Sequence, residues 1–512
     1  MVEITNAEAY MPAPGPGRAS RSPAGGPTAQ LSTRQSLLSA SPASVPYSPV
    51  NQLTSGQPLA MTDNVISAGY MFSDFGGSRC LVNGTPSPAP IITRDYSGMD
   101  AEGNATGILS RTGLPAMMLV EPASDATIQL VLYNDALGDV ATDGLIGLWL
   151  YADLSAKTSS VQHSLGITPS NNGDYNDDSY AVYFNANQVR HGWNFLVLTQ
   201  KHLVGNMPAV EAIFPGLSFT KYGTGAGSEL LDTTGNFLKT LFIDLENFAG
   251  CKLYFDSLWT GFSSKPQFCL GVDQLSSDGI DYVLPVFEEY GWVGYVAAPR
   301  RVVGNESKII RDWTPDAAGD YAFCRTYYDA GWDIINHTAN HYNLATETNP
   351  AAIRYEIEAA KSWYAQSGFV RGQEFYASPQ SGTSILAEKV ITNCGIKLQR
   401  HSLHSNVHIT PFGIDNPASV GSIDIGNHGA GWQKFSAIKT WIDNIVLYGA
   451  TGFPFWHTVT TLGDSGSGED LTGDDLRITK SAFEKTMAYI RQLELAGTVN
   501  VTRGMTGFYY GA

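Results

Sequence analysis

The chain reads as two fold classes in succession, an antiparallel β-sandwich and then an α/β barrel or sheet, with a flexible arm in front of both. Three observations predict this. Residues 59–262 carry short apolar or alternating runs broken by Gly, Asn and Asp, residues 263–512 alternate strand-like runs with capped helical segments, and residues 1–58 are rich in Pro, Ser, Ala and Gly. The 512 residues are too many for one core, and the 43% hydrophobic content is enough for more than one.

The arm comes first. "APGPGRASRSPAGGP" and "SASPASVPYSP" hold few apolar anchors, so this segment cannot offset its own ordering entropy. The first thirty residues also lack the continuous apolar stretch of a secretory signal, and a route out of a cell other than secretion is expected. In the next segment "GLIGLWLYADL", "SYAVYF", "GWNFLVL", "KTLFIDL" and "CKLYFDSLWTGF" are separated by turns such as "PSNNGDYNDD", the pattern of a sandwich. Trp149, Tyr151, Trp193 and Trp259 are either core or platforms for sugar rings.

"GFSSKPQF", Gly261 to Phe268, marks the seam. Beyond it "SDGIDYVLPVFEEYG" suits a helix if Pro285 falls in the first turn. "NPAAIRYEIEAAKSWYAQSG" has Asn349 as N-cap, Pro350 at the first helical position and Gly368 as its stop. "ITKSAFEKTMAYIRQLELAG" is a further helix, and "TVNVTRG" after it is a strand.

A net charge of -17 argues against a nucleic-acid partner, because neutralising phosphates requires a basic surface. No run of 18 apolar residues appears, so no membrane span is expected. The five cysteines are scattered without C-x-x-C spacing, which argues for buried, reduced thiols.

Three short stretches could carry chemistry. "NHTANH" sets His337 and His341 four apart, on one helical face or around one turn, where both imidazoles can reach one divalent ion; ordinary capping or surface histidines are the alternative. "FCLGVDQ" is an apolar strand that ends in Asp273, where α/β folds place reacting groups or a loop-capping carboxylate. "GFPFWHTV" puts His457 after another apolar run, as a catalytic or a core histidine.

The order strand-Asp, H-T-x-x-H, "FYASPQSG", strand-His resembles the NodB-homology polysaccharide deacetylases, carbohydrate esterase family four, over about residues 265 to 512. The resemblance implies a distorted (β/α) barrel and a divalent metal, Zn²⁺ or similar, held by His337 and His341 with an oxygen ligand. It also implies Asp273 as general base and His457 as general acid, with release of acetate from an acetylated bacterial polysaccharide. Tyr376, Pro379 and Trp456 are the expected substrate contacts.

Two positions depart from the family. Gln274 stands where a carboxylate ligand belongs, which leaves Asp278 as the substitute, and Ala377 stands where many members carry an arginine that orients the catalytic Asp. The motifs identify no carboxylate that orients the late His, and neither Asp424 nor Asp443 is singled out.

A sandwich ahead of a deacetylase-like half also resembles phage tail spikes. That implies a virion or otherwise extracellular location, a tail or baseplate partner for the arm, a host capsule or lipopolysaccharide substrate and a homotrimer. The alternative is a non-catalytic glycan-binding adhesin on a degenerate deacetylase scaffold. "LGDSGSGEDLTGDD" contains G-D-S-G but reads as a loop, and "HSLHSNVH" would split its histidines between the faces of a strand.

Overall fold

A computed structural model describes residues 70–510 except 74–79, 84–89, 96–107, 109–116, 134–144, 171–178, 187–188, 200–216, 223–239, 263–264, 274–279, 301–319, 402–407, 410–419, 427–432 and 473–475. The arm at 1–58, Gln274 and Asp278 lie outside the described residues.

Up to Phe262 every described strand pairing is antiparallel. One six-stranded sheet runs Ile91–Asp95, Met117–Glu121, Lys252–Phe262, Leu145–Asp153 and Gly192–Thr199, with Tyr70–Ser73 also on the long Lys252–Phe262 strand. A second runs Leu217–Tyr222, Ser179–Asn185, Ser164–Ser170, Thr240–Glu246, Ile128–Tyr133 and Cys80–Asn83. Alternation explains the packing: Leu148, Leu150 and Ala152 are fully buried on one face of their strand, and Trp149 is buried on the other. Trp149 packs on Trp193 and Phe195, so the first two of these are core residues rather than sugar platforms. Tyr151 is half-buried against Trp193, and the Trp259 side chain is outside the described residues.

Beyond Phe262 a small four-stranded sheet mixes parallel and antiparallel pairs, and in the eight-stranded sheet that begins at Gly271 every described pairing is parallel. The strands are β1 (Gly271–Asp273), β2 (Tyr295–Ala298), β3 (Asp333–Asn336), β4 (Phe375–Ala377), β5 (Leu398–His401), β6 (Val420–Gly421), β7 (Ile423–Asp424) and β8 (Pro454–Trp456). Their spatial order is β6-β5-β4-β3-β2-β1-β8-β7. The two edges, β6 and β7, are consecutive in the chain with Ser422 between them, one pairing with β5 and the other with β8. That single segment therefore brings the ends of the sheet together and nearly closes it into a barrel. Helices α1 (Ile280–Tyr290), α2 (Asp320–Asp329), α3 (Pro350–Ser367), α4 (Ile385–Asn393), α5 (Phe435–Tyr448) and α6 (Lys480–Leu495) alternate with them, and α7 (Gly504–Tyr510) follows.

Local sequence accounts for the helix ends. Asn349 accepts from the Ala351 N–H at 3.0 Å, Pro350 takes the first position, and Gly368 ends α3 with φ at 73°. Pro285 departs from expectation: α1 begins at Ile280, which places it inside the helix rather than in the first turn. Four cysteines, Cys251, Cys269, Cys324 and Cys394, are buried free thiols. No described helix is long and apolar enough to cross a membrane.

The barrel interior is filled by Tyr295, Ala297, Ile335, Phe375, Ala377 and Leu398, which share one cluster of buried side chains. At the amino ends of the strands Asp333 accepts from the Thr506 N–H at 2.7 Å and hydroxyl at 2.8 Å, which ties α7 to β3. Burial there pushes its carboxyl up to about 6.

Candidate active site

Parallel strands bring all their carboxyl ends to one end of a barrel. Asp273 ends β1, His337 follows β3, Ala377 ends β4, Asp424 ends β7, and His457 follows β8. β1 and β8 are direct neighbours, with Val272 opposite Trp456, so Asp273 and His457 leave adjacent strands at the same level.

The two histidines of H-T-x-x-H sit on a turn rather than a helix. Thr338 and His341 adopt φ of 62° and 54°, a conformation that a β-branched residue resists. Neighbouring groups hold it. The Thr338 N–H donates to Asn336 Oδ1 at 2.9 Å, and the Tyr342 N–H donates to the Thr338 hydroxyl at 2.9 Å. Glu356 of α3 accepts from the Asn340 N–H at 2.9 Å and from its amide nitrogen at 2.6 Å.

The turn brings the imidazole centroids to 5.0 Å. His337 Nδ1 lies 2.9 Å from the Ala377 carbonyl, which can only accept, so the proton is on Nδ1 and the lone pair on Nε2. That Nε2 is buried without a protein hydrogen-bond partner. Burial pushes both rings down to about 3, so both are neutral near pH 7, the state a metal ligand requires. These two residues fit a divalent ion. Among the described residues no third His, Cys, Asp or Glu joins them into a group of three, and the oxygen ligand expected at Asp278 falls outside the description.

Asp273 is buried and paired with Arg400 of β5, whose Nη2 donates to Asp273 Oδ2. No family motif pointed to this arginine; the available signal was an arginine in "LQRH", two residues after Leu398 on a buried strand.

His457 Nδ1 lies 3.5 Å from Asp424 Oδ2, which separates the two candidate orienting carboxylates. Asp443 instead sits half-exposed on α5, bonded to Lys439 and Tyr489. Burial pushes His457 down to about 4; Asp273 opposes the shift, and His341 and Arg400 add to it. The residues that act on His457 are thus the other members of the site.

The expected substrate contacts need correction. Tyr376 and Trp456 are 0% and 1% exposed, Trp456 packing on Phe483 and Tyr376 in the core beneath α3 and α4, and Pro379 is buried as well. Strand alternation explains it: Tyr376 and Trp456 point away from the barrel interior into the helix layer. The exposed aromatic beside the site is Tyr342, directly after His341. Of "HSLHSNVH", His401 is buried 3.8 Å from Glu388, and His404 lies outside the described residues. "GDSG" is a loop, as expected: Asp464 accepts from Ser481, and Asp470 from Ser465 and Ser467.

No protein-family profile and no curated protein matches the chain. Solved structures do. A family 4 carbohydrate esterase from Streptomyces lividans, in complex with acetate, is 14% identical, with 47% of this chain and 92% of that one covered at a TM-score of 0.29. A family 4 pseudoenzyme from Bacillus anthracis is 12% identical over 48% of this chain and 66% of its own, also at 0.29. The family 4 domain of a multidomain xylanase from the hindgut metagenome of Trinervitermes trinervoides is 13% identical over 48% and 91%, at 0.29.

Proposed function

We propose that the chain is a metal-dependent deacetylase of acetylated polysaccharide. The observation that carries this reading is the meeting, at the carboxyl end of one barrel, of two neutral imidazoles with a buried carboxylate and a carboxylate-backed imidazole. His337 and His341, with Asp278 as the expected oxygen ligand, would hold the metal. When bound, it would polarise the acetyl carbonyl and acidify water. Asp273 takes the proton from the attacking water, and His457, neutral at rest, passes that proton on to the departing amine or alcohol, with Asp424 offsetting the transient imidazolium charge. Acetate leaves, and the sugar keeps a free amino or hydroxyl group.

The finer parts of the proposal are zinc as the metal and a spacer or sugar-binding sandwich at 59–262 ahead of the catalytic half at 263–512. The change from antiparallel to parallel pairing after Phe262 supports that boundary. The arm at 1–58 would join a phage tail or baseplate, the protein would act as a homotrimer on the virion, and the substrate would be host capsule or lipopolysaccharide. The arm's composition supports only its role as a tether.

Acetate release from an N-acetylglucosamine pentamer and from acetylated xylan tests the reaction. The proposal requires release that stops with chelator, in His337→Ala and in Asp273→Asn. Binding of the same glycans with no release under any condition would favour the adhesin alternative, which Gln274 motivates.

A further inference from the structure

A guanidinium buried as completely as that of Arg400, 1% exposed, needs a compensating charge. Its Nη2 bonds to Asp273 Oδ2, its Nη1 lies 3.3 Å from the Ser422 hydroxyl, its Nε has no hydrogen-bond partner, and its Cζ lies 4.1 Å from the Phe455 ring centroid and 5.6 Å from that of Tyr295. Only one carboxylate oxygen is taken up in this way. Asp273 Oδ1 is buried with no hydrogen-bond partner. A polar atom left so is costly in a folded protein unless a substrate or water meets it.

Register supplies the second observation. β4 and β5 are parallel neighbours with Ala377 directly opposite Arg400. Residues in register on adjacent parallel strands point to the same face, and Leu398 and Ala377 already share the interior cluster. Arg400 therefore enters the barrel at the level of Ala377, one strand over from the position that the deacetylase-like pattern gives to an arginine.

We propose that Arg400 is the positioning residue for the base, holding Asp273 by Oδ2 so that Oδ1 faces the reacting water, and that the move to β5 is why Ala377 is tolerated in β4. The role rests on the deacetylase reading. Arg400 does not touch the substrate. A fixed base contributes to turnover rather than to ground-state binding, which gives the role a kinetic signature that a purely structural pair lacks.

The experiment compares the parent, Arg400→Met, Arg400→Lys and the double variant Ala377→Arg/Arg400→Ala in the full chain. The readouts are kcat and KM for acetate release from the N-acetylglucosamine pentamer in zinc, with bound zinc and thermal midpoint beside them. Arg400→Met is expected to lose about 100-fold in kcat, as a misplaced catalytic group does, with KM within about threefold and zinc still bound. Arg400→Lys should lose less, and the double variant should recover at least about tenfold over Arg400→Met. A folded Arg400→Met that keeps kcat within threefold of the parent overturns the role alone; if that variant does not fold, the same result in Arg400→Lys does so. A parent that releases no acetate overturns the deacetylase reading and this role with it.

Discussion

Glu356 is the residue on which the shape of the two-histidine turn depends most heavily. Its carboxylate receives both the backbone and the side-chain amide of Asn340, and its own carbonyl takes the Ala339 N–H. Glu356→Ala removes two bonds to a charged acceptor, about 1.5 to 3 kcal/mol each if nothing replaces them. Asn340 is half-exposed, so water recovers about half of that, and a net loss of about 1.5 to 3 kcal/mol in stability follows. The larger effect is on metal. Thr338 and His341 keep left-handed backbone only while the turn is held, and such strain relaxes when its supports go. Zinc affinity should fall by about 10- to 100-fold, the usual result when the support of a ligand is removed. Competition with a chromophoric chelator reads the affinity, and urea unfolding in chelator reads the stability. Glu356→Gln keeps an acceptor oxygen and should lie between. If Glu356→Ala binds zinc as tightly as the parent, Glu356 is no support for the clamp, whatever its effect on folding.

Further outcomes follow from the same contacts. Asp333 has a raised carboxyl pKa, so its contribution to stability is complete below about pH 4 and is lost as pH rises through about 6. Between pH 4 and 7 the parent should lose about 2 to 3 kcal/mol relative to Asp333→Asn, read by urea unfolding; parallel curves for the two proteins refute the assignment. Asp424→Asn should lower kcat for acetate release, and Asp443→Asn, on the outer face of α5, should not; equal effects would remove Asp424 from the site. Trp456→Ala should cost about 3 to 5 kcal/mol of stability as a core deletion. An altered KM at unchanged stability would return Trp456 to the substrate.

The parts of the site that were legible in the sequence are those built from local signals. Asp273 and His457 each end an apolar run, and His337 and His341 lie four residues apart, so pattern singles out their positions, while the roles proposed for them rest on the family resemblance. What pattern could not show is what crosses between elements. Arg400 reaches Asp273 from four strands away in the barrel order, Asp424 meets His457 only because β7 pairs with β8, and Glu356 reaches the turn from a helix that follows it. The substrate contacts were misread for a related reason: an aromatic next to an inward-facing residue on a strand faces the opposite side, as Tyr376 between Phe375 and Ala377 and Trp456 after Phe455 do. The passage from antiparallel sheets to a parallel barrel was legible from its changes in periodicity and its caps. Barrel closure by Val420–Asp424 was not, because two strands of two residues each leave no periodicity to read.

The central claim, that His337 and His341 form a metal clamp in a hydrolytic site, is tested most directly by the divalent metal content of the purified full chain beside His337→Ala. The account predicts close to one equivalent in the parent, lost in the variant together with acetate release. Metal-free protein that still releases acetate at the parental rate, or one equivalent retained in His337→Ala, would contradict it.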